Sequence, residues 1–278
     1  MNERINFKVN KELCNACGTC ASDCVKGIIE MNPMPQIPIE KEEHCLRCQH
    51  CMAVCPKGAI SIFGKNPSDS IPNTNELPSP ALMEKLIKNR RSIRRYKKEG
   101  VDKELIHHLL ETAAYAPTGE NDNHVQFTVI DDIEVMAQLR EITYNAIAKA
   151  GEEGKITDRL SFIYEFAKLW KKPGVDVIFR GAPHIVITSS PEDCATPAQD
   201  MVIALSYFEM LAITNGLGTL WDGIFTLALL YIAPQLRQFL GIPENHTIGF
   251  AMLFGKPAIK YARSIQSEGI FINTVQPK

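Results

Sequence analysis

Eight cysteines in the first part of the chain have the spacing of cluster ligands. They form two runs of the pattern C-x2-C-x2-C-x3-C, the second starting 31 positions after the first: Cys14, Cys17, Cys20, Cys24 and Cys45, Cys48, Cys51, Cys55. A [4Fe–4S] cluster needs four converging thiolates, and the fourth cysteine of such a run ligates the other cluster. The spacing therefore predicts two clusters, with the ligand sets Cys14, Cys17, Cys20, Cys55 and Cys45, Cys48, Cys51, Cys24.

Zinc and disulfide bonds are the alternative uses of so many cysteines. Structural zinc usually takes its cysteines as two separated pairs, not as three in one short run with a fourth. Disulfides within such crowded runs would be strained, and they are rare in the reducing compartment expected here. The ninth cysteine, Cys194, lies in a polar segment with no evident base nearby, which favours an incidental thiol over a nucleophile.

The two cysteine runs belong to an internal repeat. The residues that follow them match as well, CVKGII at 24–29 and CPKGAI at 55–60. Each copy is too small to bury a core of its own, so the two halves are expected to pack around something shared.

Composition limits the class of protein. The chain has 278 residues, 45% hydrophobic and 22% charged, with a net charge of −2. This is enough for two globular domains and gives no general attraction to nucleic acid or anionic membranes. The most apolar stretch, 224–233, is about half the length of a membrane span, and the first residues are too polar for a secretory signal. We therefore expect a cytoplasmic protein with no membrane or nucleic-acid partner.

A domain boundary separates the cysteine-rich part of the chain from the helices and strands predicted after it. Residues 65–80 are rich in Pro, Ser and Asn and have no periodicity, which is typical of a linker between domains at 1–64 and 81–278. Apolar spacing predicts helices around Leu82 and Leu105. Further patterns predict helices at 133–150, 198–215 and 232–240 and strands at 126–130, 184–188 and 247–254. Alternating helices and short strands indicate an α/β or α+β domain.

A basic run, RRSIRRY at 90–96, is the second chemical feature. Several guanidinium groups around a hydroxyl suit a phosphate dianion, although a solvated basic face or a nucleic-acid contact has the same composition. Three loops follow it: APTGEN at 116–121 could hydrogen-bond a flat heteroaromatic ring, GLGTLWDG at 216–223 allows close approach of a ligand to the backbone, and GKP at 255–257 precedes more cations.

In this order the segments resemble the nitroreductase family of FMN-dependent oxidoreductases. The basic run, the APTGEN loop, the Ala-Pro pair before His184 and the GLGTLW segment correspond to family motifs in register over residues 81–264. Residues 8–62 resemble bacterial two-[4Fe–4S] ferredoxins, with Val25 where the family has a proline. The chain thus resembles a ferredoxin–nitroreductase fusion.

The resemblance implies an α+β fold in which a small ferredoxin domain is joined to a nitroreductase-like FMN domain that forms an intertwined homodimer. It implies that Arg90, Arg91, Ser92 and Arg94, helped by Arg263, hold the FMN phosphate and ribityl chain. Contacts from the partner subunit are implied for Pro117, Thr118 and Asn121. The backbone of Asp222 and Gly223 would face N5 of the flavin. Departures at 122–125 and at Leu220 flank the substrate side, so nitroarene reduction does not follow.

The function predicted from these features is an FMN oxidoreductase that receives electrons through two [4Fe–4S] clusters and reduces a small nitro, enone, quinone or halo-aromatic acceptor. Its electron donor would be a reduced ferredoxin, a similar low-potential carrier, or NAD(P)H. No side chain is a clear general acid. The alternative is an electron-transfer module that exchanges electrons with a partner protein and has no dedicated small substrate.

Overall fold

The chain folds into two compact units. In the computed structural model, residues 5–74, 76–172 and 174–277 are described. The first unit comprises the described residues up to Leu77 together with Glu120–Asp122, and the second comprises Pro78–Gly119 and the described residues from Asn123 onward. No helix within these ranges is both long and apolar enough to cross a membrane.

The first unit is built from very short elements that repeat. Its helices and strands are β1 Lys8–Val9, α1 Thr19–Ser22, β2 Glu30–Met31, β3 Pro35–Gln36, α2 His50–Ala53 and β4 Ile60–Ser61, with 3₁₀ turns at Ile39–His44 and Pro67–Asp69. The strands pair antiparallel as β1 with β4 and β2 with β3. Helices α1 and α2 occupy equivalent places in the two copies and pack against each other.

The two copies share one small core. Its buried apolar members are Ile5, Ile28, Ile29, Met52, Ile60 and Ile62, joined by the buried cysteines Cys20 and Cys51. The core therefore contains one cysteine from the middle of each run. Few other apolar side chains are available, so burial alone gives this unit little stability.

The second unit contains a sheet and seven helices among its described residues. In chain order these are α3 Pro80–Asn89, α4 Lys103–Ala113, β5 Gln126–Ile130, α5 Ile133–Glu152, α6 Ser161–Trp170, β6 His184–Pro191, α7 Pro197–Thr214, β7 Gly218–Trp221, α8 Gly223–Tyr231, α9 Leu236–Phe239 and β8 His246–Gly255. Side-chain caps fix several helix starts: Ser79, Asp102, Asp132 and Asp222 each accept from an amide in the following first turn.

The sheet has the strand order β5-β6-β8-β7, and every pairing is antiparallel. Strand β6 is buried on both faces, because Ile185 and Ile187 face one layer of helices and Val186 faces another. Helices α5, α6 and α8 supply the first layer, and α4 and α7 supply the second. The sheet is thus the middle of three layers, which explains the continuous apolar run of β6.

Most elements predicted from periodicity are confirmed, including the strand at 126–130 and the helices at 133–150 and 198–215. The predicted helix at 232–240 is wrong: α8 ends at Tyr231, and only Leu236–Phe239 is helical beyond it. Pro234 lacks an amide proton and disfavours helical backbone at the residue before it, so the two helices stay separate. In the second unit, two helices and one strand were not predicted, namely α6, α8 and β7.

Candidate functional site: cysteine groups and an arginine segment

The eight cysteines surround two separate small cavities in the first unit. One cavity is lined by Cys14, Cys17, Cys20 and Cys55, which we call the Cys14 group. The other is lined by Cys24, Cys45, Cys48 and Cys51, which we call the Cys45 group. Each set has three cysteines from one run and the fourth from the other. These are the two ligand sets that the crossover rule predicts.

Backbone conformations around the cavities repeat between the two copies. Ala16 and Gly18 in the first run have left-handed φ angles of 55° and 75°, and Arg47 and Gln49 in the second have 55° and 61°. Left-handed backbone is unfavourable for a residue with a side chain and persists where the surroundings require it. Here it turns each loop around its cavity, and amide protons of Arg47 and Ala59 point at the sulfurs of Cys45 and Cys55 at 3.4 Å and 3.3 Å.

The donor chemistry fits iron–sulfur cubes better than single ions. All nine cysteines are free of disulfide bonds, and among the described residues no three His, Cys, Asp or Glu side chains are arranged to hold one metal ion. Sulfurs around a cube are spaced more widely than sulfurs around one zinc ion. Burial raises the pKa of Cys51 to about 12, so the free thiol keeps its proton near neutral pH and a bound cation would favour the thiolate.

The basic run at 90–96, which we call the arginine segment, lies along the edge of the sheet of the second unit. After α3 ends, the amide of Ile93 donates to the carbonyl of Thr219 in β7 at 2.8 Å, and Ser92 forms a parallel bridge with Thr219. Further along, Tyr96 bridges to Pro257 just beyond β8. The segment therefore acts as an additional short edge strand, which fixes the backbone from which the arginines project.

Gly218 is required by this packing. A Cβ atom on Gly218 would lie 2.5 Å from Cγ1 of Ile93, which is buried. The sequence predicted that the glycines of the GLGTLWDG segment at 216–223 let a ligand approach the backbone closely. At Gly218 the group that approaches is instead the side chain of Ile93. Gly216, with a φ angle of +74°, lies two residues beyond the end of α7, where glycine adopts this left-handed conformation without strain.

Arg91 presents an unsatisfied buried donor. Its Nη1 donates to the carbonyl of Arg90, whereas its Nη2 is buried and has no hydrogen-bond partner among the described residues. A buried guanidinium N–H without an acceptor is costly, and a phosphate oxygen would satisfy it. The exposed Arg94, whose Nη1 is 3.4 Å from the carbonyl of Ser92, adds a second cation. These residues fit an anionic group such as the phosphate of FMN.

Glu209 holds this region together and was missed from the sequence. It is buried on α7, and its carboxylate accepts from the hydroxyl of Thr219 at 3.0 Å and the indole N–H of Trp221 at 3.1 Å. Nη1 of Arg90 lies 3.5 Å from the same carboxylate. Arg90 is therefore already paired with an acid, unlike Arg91. A glutamate within the apolar C-terminal half of α7 was the signal that could have identified it.

The predicted ring-binding loop is held by its own hydrogen bonds. The amide of Asn123 donates to the hydroxyl of Thr118 at 3.0 Å, and the amide of Gly119 donates to the carboxylate of Asp200 at 3.0 Å. No hydrogen bond in the described residues links Pro117 or Thr118 to the arginine segment. Asn121 belongs to the short stretch that groups with the first unit.

Asp222 and Gly223 begin α8. Oδ1 of Asp222 accepts from the amide of Phe225 at 3.0 Å, and its own amide donates to Ala251. The other carboxylate oxygen, Oδ2, is buried and has no hydrogen-bond partner in the described part of the chain. The amide of Gly223 makes no hydrogen bond among the described residues. Of the two backbone amides predicted to face a flavin, only that of Gly223 is thus available.

Burial raises the pKa of Asp222 to about 7, and the nearby Asp176 contributes in the same direction, against the lowering effect of the α8 amides. The folded carboxyl keeps its proton up to about pH 7, whereas the unfolded one, at 3.8, does not. Stability contributed by this group is therefore full below pH 4 and declines as pH rises to 7.

Asp222→Asn should remove this decline, because Asn can still accept from Phe225 but carries no charge. We expect the variant to gain about 2–4 kcal/mol over the natural protein between pH 4.5 and pH 8. Urea unfolding can be followed by tryptophan emission, since Trp170 and Trp221 both lie in the second unit. An unchanged pH dependence in the variant would contradict the buried-acid assignment.

Two residues named in the sequence analysis, a predicted phosphate contact and the ninth cysteine, lie apart from this site. Arg263 lies in the exposed segment after β8 and has no hydrogen bond or ion pair with the described residues. Cys194 accepts a weak hydrogen bond from Ser190 at 3.5 Å and is outside both cysteine groups. The structure therefore gives no support to a contact between Arg263 and Arg91 within one chain.

Comparison with known families agrees with the two-part organisation. The model of the nitroreductase family matches residues 87–256, more than half of the chain. The chain belongs to the nitroreductase family. The model of the 4Fe-4S dicluster domain matches residues 13–60. The predicted fusion of a ferredoxin-like domain with a nitroreductase-family α+β domain is confirmed, as is the class of nitroreductase-type oxidoreductase.

Individual relatives of this nitroreductase-family chain are distant. A provisionally named NADH dehydrogenase/NAD(P)H nitroreductase of Methanothermobacter thermautotrophicus is 28% identical over 62% of this chain and 75% of its own. An iodotyrosine deiodinase of Nematostella vectensis is 24% identical over 68% of this chain and 73% of its own. A nitroreductase with bound FMN from Bacteroides fragilis has a TM-score of 0.55 at 22% identity, covering 71% of this chain and all of that one, which shows the shared fold.

Proposed function

We propose that this protein is an FMN-dependent oxidoreductase that receives single electrons through two [4Fe–4S] clusters and reduces a small organic acceptor. The observation that carries the proposal is that one chain combines two four-cysteine groups with a buried, unpartnered arginine nitrogen in a nitroreductase-family unit. When bound, the clusters pass single electrons and FMN converts them into two-electron reduction.

The chain's own residues hold and orient these groups. The Cys14 and Cys45 groups each supply four thiolates. Arg91 and Arg94 supply donors to the phosphate, with Ser92 beside them, while Arg90 is anchored by Glu209. The amide of Gly223 is available to a ring nitrogen of the flavin. The linker boundary at 65–80 and the cytoplasmic location stay predictions of the sequence.

A homodimer is part of the proposal. The family resemblance assigns Pro117, Thr118 and Asn121 to the flavin of the other subunit. Consistent with that assignment, Pro117 and Thr118 make no hydrogen bond to the arginine segment among the described residues of one chain. A second subunit would also cover exposed apolar side chains of α3, such as Leu82 and Ile87.

The acceptor is proposed as a small nitro, enone, quinone or halo-aromatic compound. The iodotyrosine deiodinase relative supports including halogenated phenols, and the nitroreductase relatives support nitroarenes. The donor is proposed as a reduced ferredoxin or similar carrier, with NAD(P)H as the competing source.

Stopped-flow reduction under anaerobic conditions tests the proposal. Reduced ferredoxin, NADH and NADPH are compared side by side, with cluster and flavin absorbance recorded separately. We expect cluster reduction to precede flavin reduction, and flavin reoxidation on mixing with a nitroarene, enone, quinone or 3-iodotyrosine. Protein that retains iron without flavin would contradict the proposal. A flavin that no compound in the panel reoxidises would favour the electron-transfer module instead.

A further inference from the structure

The two cysteine groups differ in their access to solvent. Cys17 of the Cys14 group has an exposed side chain, whereas every cysteine of the Cys45 group is half-buried or buried. Electron transfer between proteins needs close approach, because its rate falls steeply with distance. A partner protein that contacts the first unit can therefore come nearest to iron at the Cys14 group.

A groove lies directly beside that group. Lys57 and Ile60 line both the cavity of the Cys14 group and this neighbouring groove. The groove is also lined by Leu13, which is 48% exposed and directly precedes Cys14. An exposed apolar side chain at the edge of a redox site is suited to the centre of a small, transient contact.

One lysine lines this groove and three more lie next to its lining residues, and we call the four the lysine rim: Lys8, Lys11, Lys57 and Lys65. Lys8 is paired in register with Ser61, which lines the groove, and Lys65 precedes the lining residue Asn66. Lys11 lies in the turn between the lining residues Asn10 and Leu13. None of the four forms an ion pair with the described residues.

The rim's charge differs from that of the other half of the unit. Only two acids, Glu12 and Asp69, accompany the rim in the same stretches of chain. The acids nearer the Cys45 group in sequence are more numerous: Asp23, Glu30, Glu40, Glu42 and Glu43. Several of them are already engaged, as in the ion pairs of Glu30 with Lys41 and Asp23 with His50. Positive charge without ion pairs among the described residues is therefore concentrated along the groove that shares Lys57 and Ile60 with the Cys14 group.

We propose that the lysine rim and Leu13 form the docking surface for an acidic electron-carrier protein, which delivers electrons to the cluster of the Cys14 group. Each encounter moves one electron from the reduced carrier, which is oxidised, to that cluster, which is reduced; no bond forms or breaks. This assignment rests on the proposed function, since it supplies the entry point for electrons that FMN later uses. Charge complementarity of this kind raises the rate of encounter and makes it sensitive to salt.

The internal repeat offers a matched pair of variants. Lys57 follows Cys55 by two residues, and Lys26 follows Cys24 by two residues in the other copy. Both lysines are exposed, so Lys57→Glu and Lys26→Glu change the same charge in equivalent positions. Only the first of them lies in the rim.

The experiment uses the cluster-loaded protein, with iron content checked, and a reduced acidic two-[4Fe–4S] ferredoxin as the probe. The second-order rate of cluster reduction is measured by stopped flow over a range of ionic strength. We expect Lys57→Glu to slow reduction by roughly tenfold at low salt and to flatten the salt dependence, while Lys26→Glu changes the rate less than about twofold. The difference should disappear at high salt.

Equal slowing by both variants, or by neither, would overturn the proposal. A difference that persists at high salt would also count against it, because a shifted cluster potential, unlike docking, is not removed by screening. Because the readout is cluster absorbance, the result stands apart from flavin chemistry. If the clusters are reduced as expected but FMN stays oxidised, the proposed function fails while the docking surface remains.

Discussion

Arg91→Ala combined with Arg94→Ala will release FMN while leaving the iron content unchanged. Arg91 has a buried Nη2 for which the described residues offer no acceptor, and Arg94 is an exposed guanidinium in the same segment. Hydrogen bonds between charged groups contribute about 1.5–3 kcal/mol each, so losing two should weaken FMN binding by about a hundredfold to ten-thousandfold. Fluorescence titration of the flavin-free variant with FMN measures the change.

Riboflavin, which lacks the phosphate, separates this role from a general structural one. Its affinity should change little in the double variant, because the arginines are assigned to the phosphate. Arg95→Ala with Lys98→Ala is the matched control, since it removes two exposed cations that lie within a few residues of Arg94 in the sequence. Similar losses for FMN and riboflavin, or in both double variants, would argue against a phosphate site at Arg91.

Cys24→Ala and Cys55→Ala will each remove one cluster, and each will remove the cluster of the opposite run. Cys24 lines the cavity of Cys45, Cys48 and Cys51, although it belongs to the first run in sequence. We expect about four iron atoms per chain instead of about eight in either variant. The cluster that remains after Cys24→Ala should have the redox potential and electron paramagnetic resonance signal of the one that remains after Cys51→Ala.

Cys194→Ser is the natural control, because Cys194 lies outside both groups and the variant should keep its full iron content. If Cys24→Ala and Cys20→Ala instead left the same cluster, the crossed arrangement would be wrong.

Either cluster loss should also interrupt electron delivery from a reduced carrier to FMN, while reduction of bound FMN by a small chemical reductant continues.

Local patterns were sufficient for a large part of the fold. The helix at 133–150 begins after Asp132, whose carboxylate caps it, and the strand at 126–130 is bounded by its turns. Such elements were predictable because capping and periodicity act within a few residues. The helix predicted at 232–240 failed where Pro234 outweighed an apolar pattern. Strand β7 was missed because its glycine-rich sequence becomes a strand only by pairing with β8.

Some residues of the candidate site could likewise be predicted from local sequence, and others could not. The spacing of the cysteines, the arginine run and the Asp-Gly pair were visible because each is contiguous. Glu209 was not, because its significance depends on Arg90, Thr219 and Trp221, which reach it from two other segments. The raised pKa of the Asp222 carboxyl also depends on residues far away in the sequence, among them Asp176.

The sequence by itself determined the cluster chemistry, because thiolates in C-x2-C-x2-C runs have few other uses at that spacing. The arginine run alone left several uses open, and FMN followed only from the order of motifs that resembles the nitroreductase family. Only the tertiary structure decided which donors are left unsatisfied and which surfaces are open. It pairs Arg90 with Glu209, leaves Nη2 of Arg91 without an acceptor among the described residues, fills the space at Gly218 with Ile93, and exposes Cys17 in a group whose cavity Lys57 also lines. Burial and charge pairing depend on residues far apart in the chain, and local spacing carries no information about them.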